Sequence, residues 1–269
     1  MERETNRAVR VDAHAHVWQR GMPLVPGAWL KLDYDFTPEQ YLQALDEHAI
    51  DFGFLAAASP FGDYNDYTIA ALRRSPRLRG SAIVDPAVDM YVLERMHADG
   101  VRGIRLQFFG SATVPDLGSF AYRKLFRRVR DLAWHVHLCI DGPRLPQVLS
   151  TLEQAGVNLV VDHFGMPDPK AGTACAGFQA LLRTLENGRT WVKVSAGYRF
   201  GEAVAADCGR ILIDRVGGER LMWASDCPFA GHEGQFTYQQ TIDAVEAWVP
   251  AGVLRDQVFG LTAFKLMFA

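Results

Sequence analysis

Eight short apolar segments, each followed by a segment with helical spacing, run through the chain from end to end. The apolar segments are 11–16, 51–59, 80–85, 101–109, 135–140, 158–163, 191–195 and 221–226. The helix candidates between and after them are 37–48, 66–74, 90–98, 120–133, 145–154, 178–186, 203–216 and 238–248, with a last one at 263–268. Thr37-Pro38-Glu39-Gln40 opens the first helix with a capping hydroxyl, a proline at the first helical position and an early acid. Strands that are apolar nearly throughout are buried on both faces, as in a parallel sheet covered by helices. Eight such units in 269 residues predict an α/β fold, a (β/α)8 TIM barrel, with 1–269 as a single domain. The competing topology is an open doubly wound sheet. It would need a glycine-rich turn after the first strand, where this chain has His14 and His16.

Composition narrows the function. A formal charge of −3 argues against nucleic acid, whose phosphates select a strongly basic surface. The basic run Arg123, Lys124, Arg127, Arg128 and Arg130 recurs at helical spacing and reads as a solvated helix face. Cys139, Cys175, Cys208 and Cys227 are scattered, with no C-x-x-C pair, which suits a reducing compartment. Residues 1–10 are charged and polar, unlike a signal peptide, and no run approaches the about 20 apolar residues of a membrane span. The expectation is a cytoplasmic protein without a membrane partner; nothing in the sequence sets its oligomeric state.

In a (β/α)8 barrel, chemistry sits at the C-terminal ends of the strands. Strand one delivers His14 and His16, which alternation places on one face. Strand two offers Ser59, strand four Arg105, strand five His137, Cys139 and Asp141, and strand six Asp162 and His163. Strand seven offers Lys193 and Ser195 with Arg199 just beyond, and strand eight offers Asp226. Each has an ordinary explanation taken alone. Asp226 fits a cap, His163 a hydrogen-bonded core histidine, and Arg105 and Arg199 partners for Asp12 or Asp162. Their collection at one end of apolar strands favours a site, because burial is costly for polar groups that are neither paired nor used. The irregular stretch 19–37 is long for a loop in a compact domain, which points to a role at that site. Trp18, Trp29, Phe109 and Phe229 fall near strand ends and fit either packing or stacking on a flat ring.

Several motifs together resemble the amidohydrolase superfamily, in particular its branch of 2-pyrone-4,6-dicarboxylate lactonases. They are Asp12-Ala-His-Ala-His-Val17, Arg102-Gly-Ile-Arg105, Val161-Asp-His-Phe-Gly-Met-Pro167, Trp191-Val-Lys-Val-Ser195 with Tyr198-Arg199, Met222-Trp-Ala-Ser-Asp-Cys-Pro228 and Thr262-Ala-Phe-Lys-Leu266. The resemblance covers essentially the whole chain. It implies a barrel that opens a carboxylated lactone with water, as in aromatic degradation. It implies Asp226 as general base, His14, His16 and His163 polarising the carbonyl, and Ser59, Arg105 and Arg199 binding the substrate. It implies catalysis with no cofactor, although many superfamily members hold zinc or another divalent ion, and an inward-facing His137 would keep a metal in play. A sugar-acid lactone and a metal-dependent non-oxidative decarboxylation are the alternatives. The chain departs from the pattern at Leu106-Gln107-Phe108-Phe109, which has no second arginine, in the loop 27–34, and at Cys139, where a tyrosine is expected.

Overall fold

The structure is a computed structural model that describes residues 7–269. Six residues of the charged leader, 1–6, lie outside the described residues. The barrel opens with β1 (Val11–Ala15), α1 (Pro38–Glu47), β2 (Phe52–Leu55), α2 (Asp66–Arg74), β3 (Leu78–Ala82), α3 (Met90–Ala98), β4 (Val101–Gln107) and α4 (Phe120–Asp131). It continues with β5 (His135–Cys139), α5 (Leu145–Ala155), β6 (Asn158–Val161), α6 (Ala176–Thr184), β7 (Thr190–Val194), α7 (Glu202–Val216), β8 (Leu221–Trp223) and α8 (Tyr238–Glu246). The strands form one parallel sheet in chain order, β1 to β8. The capping box predicted at Thr37 and Gln40 is formed.

The ring closes between β8 and β1. The Asp226 amide donates to the His14 carbonyl at 2.9 Å, and the His16 amide to the Cys227 carbonyl at 2.8 Å. With only three residues in β8, this seam needs further support. Asp12, fully buried, supplies it by accepting from the Ser225 amide at 2.9 Å, the Ser225 hydroxyl at 2.6 Å and the Tyr238 hydroxyl at 2.9 Å. The acid that leads the first motif is therefore a structural clamp.

The main core lies between strands and helices, where Leu45, Phe126, Leu149, Phe178 and Trp223 are buried. A smaller cluster fills the barrel floor. Phe54, Val160 and Met222 pack there against Ala263 and Met267 of the C-terminal helix. The chain end differs from the single helix expected at 263–268. A short helix α9 (Val253–Asp256) and a π-turn (Gln257–Leu261) precede α10 (Thr262–Met267). The π-turn brings Gly260 against the segment entering β1; a Cβ there would lie 1.6 Å from the Val9 carbonyl oxygen. With α10 plugging this end, the barrel axis is open to a ligand from the opposite end.

Strand ends also differ from expectation at the open mouth. Ser59 sits in a 3-10 turn (Ser59–Phe61) beyond β2, and His163 opens another (His163–Gly165) beyond β6. Apolar character continues there because the side chains still pack inward, while the backbone has left the sheet. The basic run on α4 is partly exposed, but Arg128 and Arg130 also bond the carbonyls of Val88 and Ala155 on neighbouring segments.

Candidate active site

Three imidazoles converge on one carboxylate at the open mouth. Asp226 Oδ1 lies 3.7 Å from His14 Nε2, 3.6 Å from His16 Nε2 and 3.7 Å from His163 Nε2. His14 and His163 are buried, as expected of residues at a barrel mouth that face its axis. Asp226 and His163 both adopt left-handed backbone, at φ 62° and 51°, and the run continues through Phe164 and Met166. Such conformations cost of order 1–3 kcal/mol each for ordinary residues and concentrate at functional sites. Here they turn two side chains inward just after the strands end.

The other oxygen of Asp226 is fixed. Oδ2 accepts from the Tyr198 hydroxyl at 2.7 Å and from Arg199 Nε at 2.9 Å. Burial pushes this carboxyl up, but the Arg199 guanidinium, with the imidazoles around the group, outweighs it and holds the carboxyl well below the usual carboxylate range. Asp226 is thus an ionised carboxylate with one oxygen anchored and one oxygen facing the histidines.

Hydrogen-bond directions assign the imidazole protons. Lys193, fully buried, lies 2.9 Å from His14 Nδ1 and 3.1 Å from Asp162 Oδ1. An ammonium only donates, so His14 Nδ1 accepts. Burial, with Lys193 adding to it, holds His14 well below its ordinary pKa, so it is neutral and carries its proton on Nε2. That N–H meets His16 Nε2 at 3.1 Å, and His16 Nδ1 donates to the Ala56 carbonyl at 2.7 Å. Every bond in this chain then has one proton. His163 Nδ1 lies 2.8 Å from the Ser195 hydroxyl, and burial pushes its pKa down to about 4. A hydroxyl donating to Nδ1 leaves the Nε2 proton facing Asp226.

The residues expected from the sequence to bind substrate also gather here, though each is partly committed. Arg105 gives Nε and Nη2 to Asp162, at 3.3 and 3.2 Å, and Nη1 to the Ala57 carbonyl at 2.7 Å. Arg199 gives Nε to Asp226 and Nη2 to the Ala230 carbonyl at 3.2 Å. A guanidinium has five N–H donors, so both keep hydrogens for a ligand. Ser59 accepts from the Trp29 indole at 3.2 Å. His137 does face the barrel axis, yet it lies below the site, stacked on Phe54 at 4.8 Å and 3.3 Å from His135. Cys139, two residues nearer the mouth, lines the chamber instead, with its thiol pushed up to about 12 by burial. A thiol so protonated is no nucleophile at neutral pH.

Sequence reasoning listed Asp162 and Lys193 at the strand ends without giving them roles, and had Tyr198 only within a motif. Their motifs carried them, but only the tertiary structure shows that they orient Arg105, His14 and Asp226. Gln107 was also missed. Its Oε1 is buried without a protein partner and its side chain lines the chamber. Its place on the inward face at the end of β4 was the available signal.

The stretch 19–37 covers the mouth. Trp18 and Phe36 close it through paired backbone bonds of 2.9 and 3.0 Å, and Tyr34 holds Glu233 across the opening at 3.0 Å. Trp18, Trp29 and Phe109 line the chamber, whereas Phe229 packs against Tyr198 at 6.2 Å.

The donor set also has the spacing of a divalent-ion site. His14, His16 and Asp226 form one group with ligand atoms within 4.8 Å of one another, and His14, Asp162 and His163 form another. His16 has the outer-shell carbonyl bond usual for a ligating imidazole. The residues therefore fit a bound metal.

An eight-stranded barrel with histidines and an aspartate at its C-terminal mouth defines a (β/α)8 enzyme of the metal-or-imidazole hydrolase type. The chain belongs to the amidohydrolase family, whose model matches residues 11–268. It is 29% identical over 247 residues to a 2-pyrone-4,6-dicarboxylate hydrolase of Comamonas testosteroni, covering 81% of this chain and 76% of the relative. It is 25% identical over 232 residues to a 4-sulfomuconolactone hydrolase of Rhizobium radiobacter, covering 82% and 76%. A crystal structure of a "probable 2-pyrone-4,6-dicarboxylic acid hydrolase" from Acinetobacter baumannii, with citric acid bound, superposes with a TM-score of 0.92 at 29% identity, covering 96% of this chain and 98% of that one.

Proposed function

We propose that this chain is a hydrolase that opens a carboxylated lactone with water, 2-pyrone-4,6-dicarboxylate or a close analogue being the first substrate to test. One observation carries this: a buried carboxylate with one oxygen anchored and the other set among three Nε2 atoms at 3.6–3.7 Å. Asp226 takes a proton from water as the water oxygen bonds to the lactone carbonyl carbon. The His163 Nε2 proton, joined by the His14 Nε2 proton as it turns from His16 Nε2, meets the carbonyl oxygen as it becomes negative, which is where preorganised donors count most. His16 Nε2 is an acceptor in this hydrogen-bond pattern, so it shares with Asp226 the task of orienting the water. The ring C–O bond then breaks, and the departing oxygen recovers the proton from Asp226. General-base catalysis of this kind contributes about 10²–10⁴-fold. The remaining N–H donors of Arg105 and Arg199, with Ser59, hold a substrate carboxylate; a guanidinium matches it with paired bonds.

These groups suffice for the reaction without a cofactor. Lys193 keeps the His14 proton on Nε2 in this arrangement, and an ion held at that nitrogen would displace it. If an ion is held, His14, His16 and Asp226 hold it, and it supplies charge to the carbonyl oxygen. The same donor set would serve a metal-dependent decarboxylase, the second reading. The partner is a small molecule. Among the described residues no helix is long and apolar enough to cross a membrane, and all four cysteines are buried and unpaired. A reducing cytoplasm suits that state, with residues 1–269 acting as one catalytic unit.

The test is ultraviolet-monitored opening of the pyrone, with metal analysis and a chelator arm. Turnover that survives the chelator supports the imidazole mechanism. Carbon dioxide release with a stoichiometric metal would replace it with the decarboxylase.

A further inference from the structure

On the β2 and β4 side the catalytic chamber, about 50 Å³, lies beside a wider groove of about 530 Å³. Trp29, Ser59, Arg105, Gln107 and Phe109 line both. Trp29 stands at the junction, with its ring edge-on to Phe109 at 6.3 Å and its indole on Ser59 at 3.2 Å. It is half exposed, so little packing holds it in place. Beyond it the groove walls are Val25, Ile83, Val84, Phe108 and Tyr122, and among the described residues Arg105 is the one charged side chain in the lining.

The charge of the mouth limits what enters. Lys193, Arg105 and Arg199 face Asp162 and Asp226, which leaves at most one net positive charge for a ligand. Both arginines already spend donors on those acids. One anionic group is matched by this arrangement; a second would enter a largely apolar groove whose lining cation, Arg105, is already paired with Asp162, at a desolvation cost. Gln107 adds an uncharged amide at the branch between chamber and groove, one of its polar atoms buried without a partner.

Resting on the lactone-hydrolase assignment, we propose that the preferred substrate is a monoanionic lactone carrying an apolar substituent. Its ring and single acidic group occupy the chamber. The alkyl or aryl arm passes Trp29 into the groove, and Gln107 reads a polar group of the ring at the branch. Five lining residues shared by groove and chamber, and walls whose one cation is already paired with Asp162, select this occupant over a dicarboxylate.

The experiment is a series of 2-pyrone-6-carboxylates bearing methyl, n-butyl, phenyl or carboxylate at C4, assayed by loss of pyrone absorbance with the full chain. Each buried methylene is worth about fourfold. The n-butyl compound is therefore expected to exceed the methyl compound at least about tenfold in kcat/KM, and the 4-carboxylate to be the poorest. Val84→Phe, which narrows the groove away from the chamber, should erase the advantage of n-butyl and phenyl while leaving the methyl compound unchanged. A 4-carboxylate preferred over all others overturns the substrate class and leaves the lactone hydrolase standing. Equal rates for methyl, n-butyl and phenyl, or an advantage that persists in Val84→Phe, overturn the groove's role. No turnover of any member, in folded protein, overturns this substrate class and moves the lactone-hydrolase reading to a non-pyrone lactone, for which sugar-acid lactones are the next assay.

Discussion

Asp226→Asn separates the chemistry of the site from its architecture. The substitution keeps shape and removes charge. Its carbonyl oxygen can replace Oδ2, accepting from the Tyr198 hydroxyl and Arg199 Nε, now at 2.7 and 2.9 Å. The amide nitrogen then takes the place of Oδ1 among the imidazoles, where it cannot accept a proton from water. Loss of a general base predicts a fall in kcat of about 10²–10⁴, or about 2.7–5.5 kcal/mol in the barrier. Stability changes less. Arg199 loses a charge partner but keeps its hydrogen bond, so the expected cost is about 1–3 kcal/mol. The assay is kcat and KM by pyrone absorbance beside a thermal melt. A folded variant within tenfold of the parent kcat would refute Asp226 as the base.

Lys193→Met frees His14 Nδ1 to donate to Asp162 Oδ1, 3.3 Å away, so its Nε2 gains a lone pair; metal-independent turnover is expected to fall at least about tenfold while zinc affinity, read by titration calorimetry, rises. Tyr198→Phe removes one of the two anchors of Asp226 and should lower kcat several-fold with little change in KM. The pKa of His163 is near 4 in the fold, against an ordinary 6.5, so the unfolded chain binds more protons between those values. Its contribution to stability is therefore full above pH 6.5 and is lost as pH falls towards 4, and urea midpoints measured from pH 7 to 4 should decline accordingly. Gly260→Ala drives a Cβ into the Val9 carbonyl and should lower stability by about 1–3 kcal/mol, seen as a reduced melting temperature.

Much of the molecule was legible in the residue order. Alternation of apolar and helical segments specified the barrel, because strands buried on both faces carry that pattern wherever they occur. His14, His16, His163 and Asp226 could be placed at one end, since strand direction and period fix which side chains share the mouth. The family motifs supplied their expected roles. Tertiary structure decided what those groups are bonded to. Asp12 and Asp162 look alike in sequence, yet one clamps the closing seam and the other pairs with Arg105 and Lys193. Partners such as Lys193 and His14 are 179 positions apart, so no local pattern links them. Sequence by itself determined periodicity, and with it the barrel and its catalytic end. Proton positions, the anchoring of Asp226 and the groove behind Trp29 depend on distances between segments remote in the chain, and only the closed barrel sets those distances.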